Sequence, residues 1–225
     1  MDKIGIIDYG VGNLGSVQNA FRFYQQSTSP KGIAHKLQSH TTRPFSLHVE
    51  SKPENLKLYD KLLLPGVGAF GNAMEHLRGA CLLEALKAFA QSGKYMLGIC
   101  LGMQLLFEKS FEFGEYEGLG LIEGDIVPFC HSCTHKVPHV GWNSCTLTPQ
   151  GESSPLLRDI KDESFLYFVH SFHVRTQERF TLATCDYGYP FSAIINKDNL
   201  FGIQPHPEKS HNVGLQLLKN FIELD

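Results

Sequence analysis

Three times in the first 110 residues a short apolar run breaks at glycine and gives way to helical spacing. The runs are residues 3–9 before Gly10–Gly15, residues 61–64 before Pro65-Gly66-Val67-Gly68, and residues 95–99 before Cys100-Leu101-Gly102. Such short, mainly apolar runs read as strands buried on both faces, the mark of a parallel sheet. Parallel neighbours need crossovers, and helices supply them. The spacing predicts helices at about 16–26, 71–78, 82–91 and 101–109. An α/β fold follows, with a mostly parallel central sheet flanked by helices.

The second half changes character. Short apolar stretches at 119–122, 125–129, 144–147, 165–169, 181–185, 191–195 and 200–203 are divided by turn residues. They predict further strands, some antiparallel, added to the same sheet. Apolar residues at 213, 217, 218, 221, 222 and 224 share one helical face, so the chain is expected to close with a helix. Residues 27–55 form an atypical polar segment, rich in Ser, Thr, His and Pro, and read mostly as loop, with an edge strand at 45–49. No linker or repeat divides the chain, so residues 1–225 are expected to form a single domain.

Composition removes several function classes. At 42% hydrophobic and 19% charged the chain is not disordered, and a net charge of −3 argues against a generic nucleic-acid grip. No apolar run approaches the ~20 residues of a spanning helix, and Asp8 comes too early for a secretory signal. The six cysteines are irregularly spaced, which suits reduced thiols in a cytoplasmic protein rather than a disulfide framework.

Two motifs point away from their obvious meaning. Gly10-Val11-Gly12-Asn13-Leu14-Gly15 spells a dinucleotide fingerprint, yet no Asp or Glu stands between Asp8 and Glu50 to hold a ribose. No nicotinamide or flavin cofactor is expected. Cys130-His131-Ser132-Cys133-Thr134-His135 has metal-like spacing but no second Cys-x-x-Cys, and it reads as a loop without metal.

Gly98-Ile99-Cys100-Leu101-Gly102 is more specific. It is the nucleophile-elbow pattern with cysteine in place of serine, set between a predicted strand and helix. The helix N-terminus favours a thiolate, and the Leu101 amide is placed to donate to an oxyanion. A cysteine nucleophile needs a base, and the base an orienter. His206, bracketed by Pro205 and Pro207, with Glu208 two residues on, supplies both. The Pro65–Gly68 turn ends a parallel strand, at the sheet edge where ligands bind.

These motifs resemble those of the class I glutamine amidotransferases. Gly98–Gly102 followed by Met103-Gln104, and His206-Pro207-Glu208, are that group's paired signatures. Residues 6–17, 63–70, 98–110, 136–143, 167–174 and 206–210 together resemble the branch whose members are glutaminase subunits of imidazole glycerol phosphate synthase, in histidine biosynthesis. The resemblance implies that Cys100 attacks the glutamine side-chain amide, that His206 moves the proton and that Glu208 orients it. It places Gly66, Val67, Gly68 and Leu101 at the oxyanion, and Gln104, Glu112, Ser171 and Phe172 around glutamine. It assigns Asn13, Trp142, Tyr167 and Lys209 to the surface that meets a (β/α)8-barrel synthase subunit in a heterodimer. Ammonia would pass directly into that barrel. A second branch with the same glutaminase chemistry feeds partners that amidate surface sugars. The chain departs from the family at Pro205, where Phe is usual, and in the length of 27–55.

Overall fold

The chain, seen in a computed structural model that describes residues 1–27, 44–130 and 135–225 (backbone only for 23–27), opens with β1 (Asp2–Ile7), α1 (Leu14–Ser27), β2 (Phe45–Glu50) and β3 (Lys61–Gly66). Then come α2 (Phe70–Gly79), α3 (Leu82–Gln91), β4 (Tyr95–Cys100) and a short α4 (Leu101–Leu105). After β5 (Phe107–Ser110), β6 (Tyr116–Glu117), β7 (Ile122–Pro128) and β8 (His139–Leu147) follow α5 (Pro149–Glu152), β9 (Ser164–His170) and β10 (Phe172–Thr176). The chain ends with β11 (Thr181–Asp186), β12 (Pro190–Lys197), β13 (Leu200–Ile203) and α6 (His211–Ile222).

The parallel block is β2-β1-β3-β4-β13. Its strands alternate their side chains between two apolar layers, as the two-residue period requires. Ile4, Ile6, Leu63, Leu97 and Ile99 face Phe21 of α1 and Leu217 and Phe221 of α6. Ile7, Leu62, Leu64 and Met96 face Leu77 of α2 and Leu86 of α3. Lys61 is buried at the start of β3. Its ammonium donates to the Ile222 carbonyl and, at 2.6 Å, to that of Leu224, the negative end of α6.

Beyond β13 the sheet continues antiparallel through β12 and β10 to β7, then parallel to β5, with β6 at the edge. From β12 a branch runs through β11 and β8 to β9. All these joins in the branch are antiparallel. The parallel strands all end on one edge. That edge therefore collects Asn13, Val67, Gly68, Cys100 and His206, which lie at or just beyond strand C-termini, where ligands of α/β sheets bind.

Several expectations need correction. The helix expected at 101–109 stops at Leu105, and Phe107–Ser110 is a strand pairing with β7. Phe107 and Ser110, three apart as on a helix face, are both fully buried in the sheet because a register shift between Phe107 and Lys109 interrupts the strand's alternation. Residues 119–121 are not strand; the two stretches at 119–122 and 125–129 give one strand, β7. Strand β8 begins five residues before the predicted 144, and β10 carried no sequence signal. The edge strand expected at 45–49 is β2, parallel to β1. The remainder of the polar segment's loop, 28–43, lies outside the described residues.

Candidate active site

Cys100 ends β4 and opens α4 with φ 54° and ψ −113°, a conformation that strains any residue with a Cβ. The elbow holds because its flanks are glycine. A Cβ on Gly98 would lie 2.6 Å from the Gly102 carbonyl oxygen, and one on Gly102 would lie 1.7 Å from that of Leu64. The close approach of α4 to β3 and β4 thus sets where the sulfur stands.

His206 reaches this point from the neighbouring strand. Ile203 of β13 pairs with Ile99, so the chain past β13 runs beside Cys100. The backbone amide of Gln204 donates to Ala193 and that of His206 to Tyr167, each at 2.8 Å. The amide that Pro205 lacks falls between these two donors, which already anchor the segment. The Ser210 hydroxyl tightens it further, donating to the His206 carbonyl at 2.7 Å. His206 Nδ1 lies 2.8 Å from Glu208 Oε1. Both side chains are buried, and His206 Nε2 finds no hydrogen-bond partner among the described residues. Burial disfavours the imidazolium, but Cys100 as thiolate and then Glu208 outweigh it, raising His206 to about 10.

A cleft of about 410 Å³ opens over Cys100. Val67, Gly68, Leu101, Gln104, Glu112, Ser171 and Phe172 all line it, as do His206 and Lys209. Gly66 and Glu208 do not line it. Gly66 belongs to β3, and a Cβ there would lie 2.7 Å from the Gly102 nitrogen and 2.8 Å from the Tyr9 hydroxyl. Gly66 is therefore glycine for close approach. Gly68, with φ 91° and open space around it, is glycine for its backbone conformation. Glu112 is half-buried and accepts from the Phe70 amide at 2.5 Å. Desolvation raises its pKa, against the pull of that amide.

The four residues assigned to a partner surface divide into three and one. Trp142 and Tyr167 face each other across β8 and β9, with ring centroids 5.9 Å apart. Lys209 Nζ lies 5.7 Å above the Tyr167 ring, and Trp142 stacks on His211 at 4.9 Å. Asn13 stands at the start of α1, where its side-chain oxygen accepts from the Ser16 amide.

Residue spacing gave no sign of several neighbours. Tyr9 is buried and its hydroxyl donates to the Pro65 carbonyl at 2.9 Å, and burial followed by the charge of Cys100 pushes its pKa up. His170 Nδ1 lies 2.9 Å from the Phe172 carbonyl, which can only accept, so this nitrogen carries the proton. Its Nε2 then accepts from His139 Nδ1 at 3.1 Å. Burial drives His170 down to about 3 and His139 down to about 4, keeping both neutral. Gln204 is fully buried beside the thiol. The Tyr9–Pro65, His139–His170 and Gln204–Cys100 contacts join segments far apart in sequence, so only the folded chain reveals them.

The dinucleotide fingerprint resolves differently. Glu50 ends β2, the place of a ribose-binding acid, but farther along the chain than the usual spacing. Its oxygens already accept from the Ser51 and Lys52 amides, Asn55 and Tyr59. Among the described residues no group of three or more His, Cys, Asp or Glu is placed to hold a metal ion. Residues 131–134 of the Cys-x-x-Cys stretch lie outside them.

An elbow cysteine, a buried His–Glu pair and a small polar cleft thus meet at one edge of an α/β sheet. The family model for class I glutamine amidotransferases matches residues 17–224, and the chain belongs to that family. A protein of Helicobacter hepaticus, "Imidazole glycerol phosphate synthase subunit HisH", is 63% identical, covering 99% of this chain and 98% of its own. Its namesake in Wolinella succinogenes is 48% identical over 98% and 99%. Among solved structures, PurLQS from Thermotoga maritima superposes with TM-score 0.69 at 15% identity, covering 99% of this chain and 98% of that one. The Trypanosoma brucei CTPS glutaminase domain with bound acivicin gives 0.62 at 17%, covering 100% and 95%. At such identities the likeness is one of fold.

Proposed function

We propose that this chain is the glutaminase subunit of an imidazole glycerol phosphate synthase, working as one unit over residues 1–225. In this reading Cys100 Sγ attacks the glutamine carboxamide carbon. The Leu101 amide and the Val67–Gly68 turn hold the oxyanion, and His206 Nε2 carries the thiol proton to the departing nitrogen. Ammonia leaves, and water then resolves the γ-glutamyl thioester to glutamate, with His206 now taking a proton from the water. Glu208 holds Nδ1 throughout. Gln104, Glu112 and the Ser171–Phe172 corner bind the amino-acid end, with the Glu112 carboxylate suited to its ammonium.

The observation that carries this reading is the buried Glu208–His206 pair, in which His206 Nε2 has no partner among the described residues, next to a strained elbow cysteine. The names of the relatives at 63% and 48% identity favour the histidine-pathway synthase over a surface-sugar partner. An apolar stripe supports docking of a second subunit. Val140, Trp142, Phe165 and Val169 are 55%, 43%, 58% and 37% exposed on β8 and β9, and Val169 also lines the cleft. Such a partner, in this reading a (β/α)8-barrel synthase subunit, receives the ammonia directly.

The test pairs Cys100→Ala with the synthase subunit of the same organism. Glutamine-dependent synthesis is lost while ammonium salts still support it, because only the ammonia supply has been removed. Retained glutamine hydrolysis in Cys100→Ala refutes the mechanism, and failure to co-purify with that subunit refutes the partner.

A further inference from the structure

We propose that Gln204 is a positioning residue for the nucleophile: its side-chain amide donates a hydrogen bond to the Cys100 sulfur and holds it as a thiolate. This rests on Cys100 being the nucleophile. The register places the two residues side by side. Ile203 pairs with Ile99 in parallel strands, so the next residues along, Gln204 and Cys100, are neighbours. Gln204 is 0% exposed, and its Nε2 lies 3.7 Å from the Cys100 sulfur.

One backbone atom fixes which way both nearby carboxamides point. The Phe172 carbonyl can only accept, and the nitrogen of Gln104 lies 3.0 Å from it. That same nitrogen lies 2.9 Å from the Gln204 side chain, which must therefore turn its oxygen toward Gln104. The NH2 of Gln204 is then left facing the sulfur. Flipping either amide would set two donors or two acceptors against each other. The chain of bonds runs Cys100, Gln204, Gln104, Phe172, linking the sulfur to the corner where the cleft meets β10.

A donor aimed at sulfur stabilises the thiolate more than the thiol, because a hydrogen bond to a charged acceptor is the stronger one. A carboxamide donates at every pH, whereas His206 changes its charge as the reaction proceeds. Strand pairing does not explain this side chain, since the Gln204 backbone amide already donates to Ala193. An apolar residue would fill the same space without the donor. Among the described residues the titratable groups facing Cys100 are Tyr9 from just past β1 and His206 from beyond β13, while Glu208 and His170 face His206.

The experiment follows alkylation of Cys100 by iodoacetamide in the full-length chain from pH 5 to 10, with the labelled residue located by peptide mass. In Gln204→Met, which keeps the length and removes the donor, the midpoint of the alkylation profile rises by about one pH unit. Glutamine turnover falls about tenfold at neutral pH, with thermal melting as the check on folding. A midpoint equal to wild type overturns the proposal. A second measurement needs no variant of Gln204. In the wild-type chain the Gln204 side-chain amide resonances, followed by nitrogen-15 NMR, shift with the same midpoint as alkylation and lose that transition in Cys100→Ala. Resonances indifferent to the thiol overturn the proposal even where Gln204→Met does not fold. Labelling of other cysteines in place of Cys100 instead overturns the nucleophile assignment beneath it.

Discussion

Replacing Gly102 by alanine tests whether elbow tightness, rather than residue identity alone, sets the nucleophile. The added Cβ would lie 1.7 Å from the Leu64 carbonyl oxygen, 2.7 Å from its carbon and 3.2 Å from the Pro65 carbonyl carbon. All three are backbone atoms of β3, held by pairing to β1 and β4, so no flexible side chain can move aside. Non-bonded heavy atoms settle near 3.5 Å, so α4 and β3 must part by roughly 1.8 Å. Overpacking of this kind costs about 1–3 kcal/mol. At about 2–4 °C per kcal/mol for a chain this size, melting falls by several degrees. Activity suffers more, because Leu64 leads directly into the Val67–Gly68 turn and Gly102 follows Cys100 by two residues. A misplacement of about 1 Å between reacting groups costs on the order of 100-fold. The assay is glutaminase kcat of the partnered chain alongside thermal melting. Gly79→Ala is the control: that glycine lies in α2 with open space around it. There alanine stabilises by about 0.4–1 kcal/mol and leaves turnover unchanged. A Gly102→Ala chain with wild-type melting and turnover refutes the reasoning. So does a loss of activity no larger than its unfolded fraction.

Two further outcomes concern pH. His206 rises from 6.5 to about 10 on folding, so its contribution to stability is fully present below about 6.5 and is lost as pH climbs through about 10. In Glu208→Gln the contribution is smaller and its decline is complete at lower pH, because one of the two groups favouring the imidazolium is gone; superimposable melting-versus-pH curves for the two proteins contradict this. Glu112 has its pKa raised by burial, so it protonates at higher pH than an exposed glutamate and, in the role proposed for it, then no longer attracts the substrate ammonium. KM for glutamine therefore climbs as pH falls in the wild type, while Glu112→Gln has a high KM that is flat with pH. A Glu112→Gln chain with wild-type KM removes this residue from the glutamine site.

Much of this protein is written in short stretches of sequence. Four helices and the parallel strands are local matters: 62–64 and 96–99 are apolar on every residue and buried on both faces, and 82–91 matches α3 end to end. The elbow was also legible, since only glycine survives where backbone meets backbone at 98 and 102. The failures share a cause. Phe107–Ser110 became strand because β7 offers it a ladder, and β10 exists because β7 and β12 flank it. A ladder partner far along the chain overrides weak local preference. The same holds at the site. His206–Glu208 is a two-residue motif and showed itself, whereas Gln204 against Cys100, Tyr9 against Pro65 and His170 against His139 are encounters made by register and crossover. Sequence determined which residues have the chemistry. Tertiary structure decided which of them face one another, because a hydrogen bond depends on tenths of an ångström between strands that the chain visits a hundred residues apart.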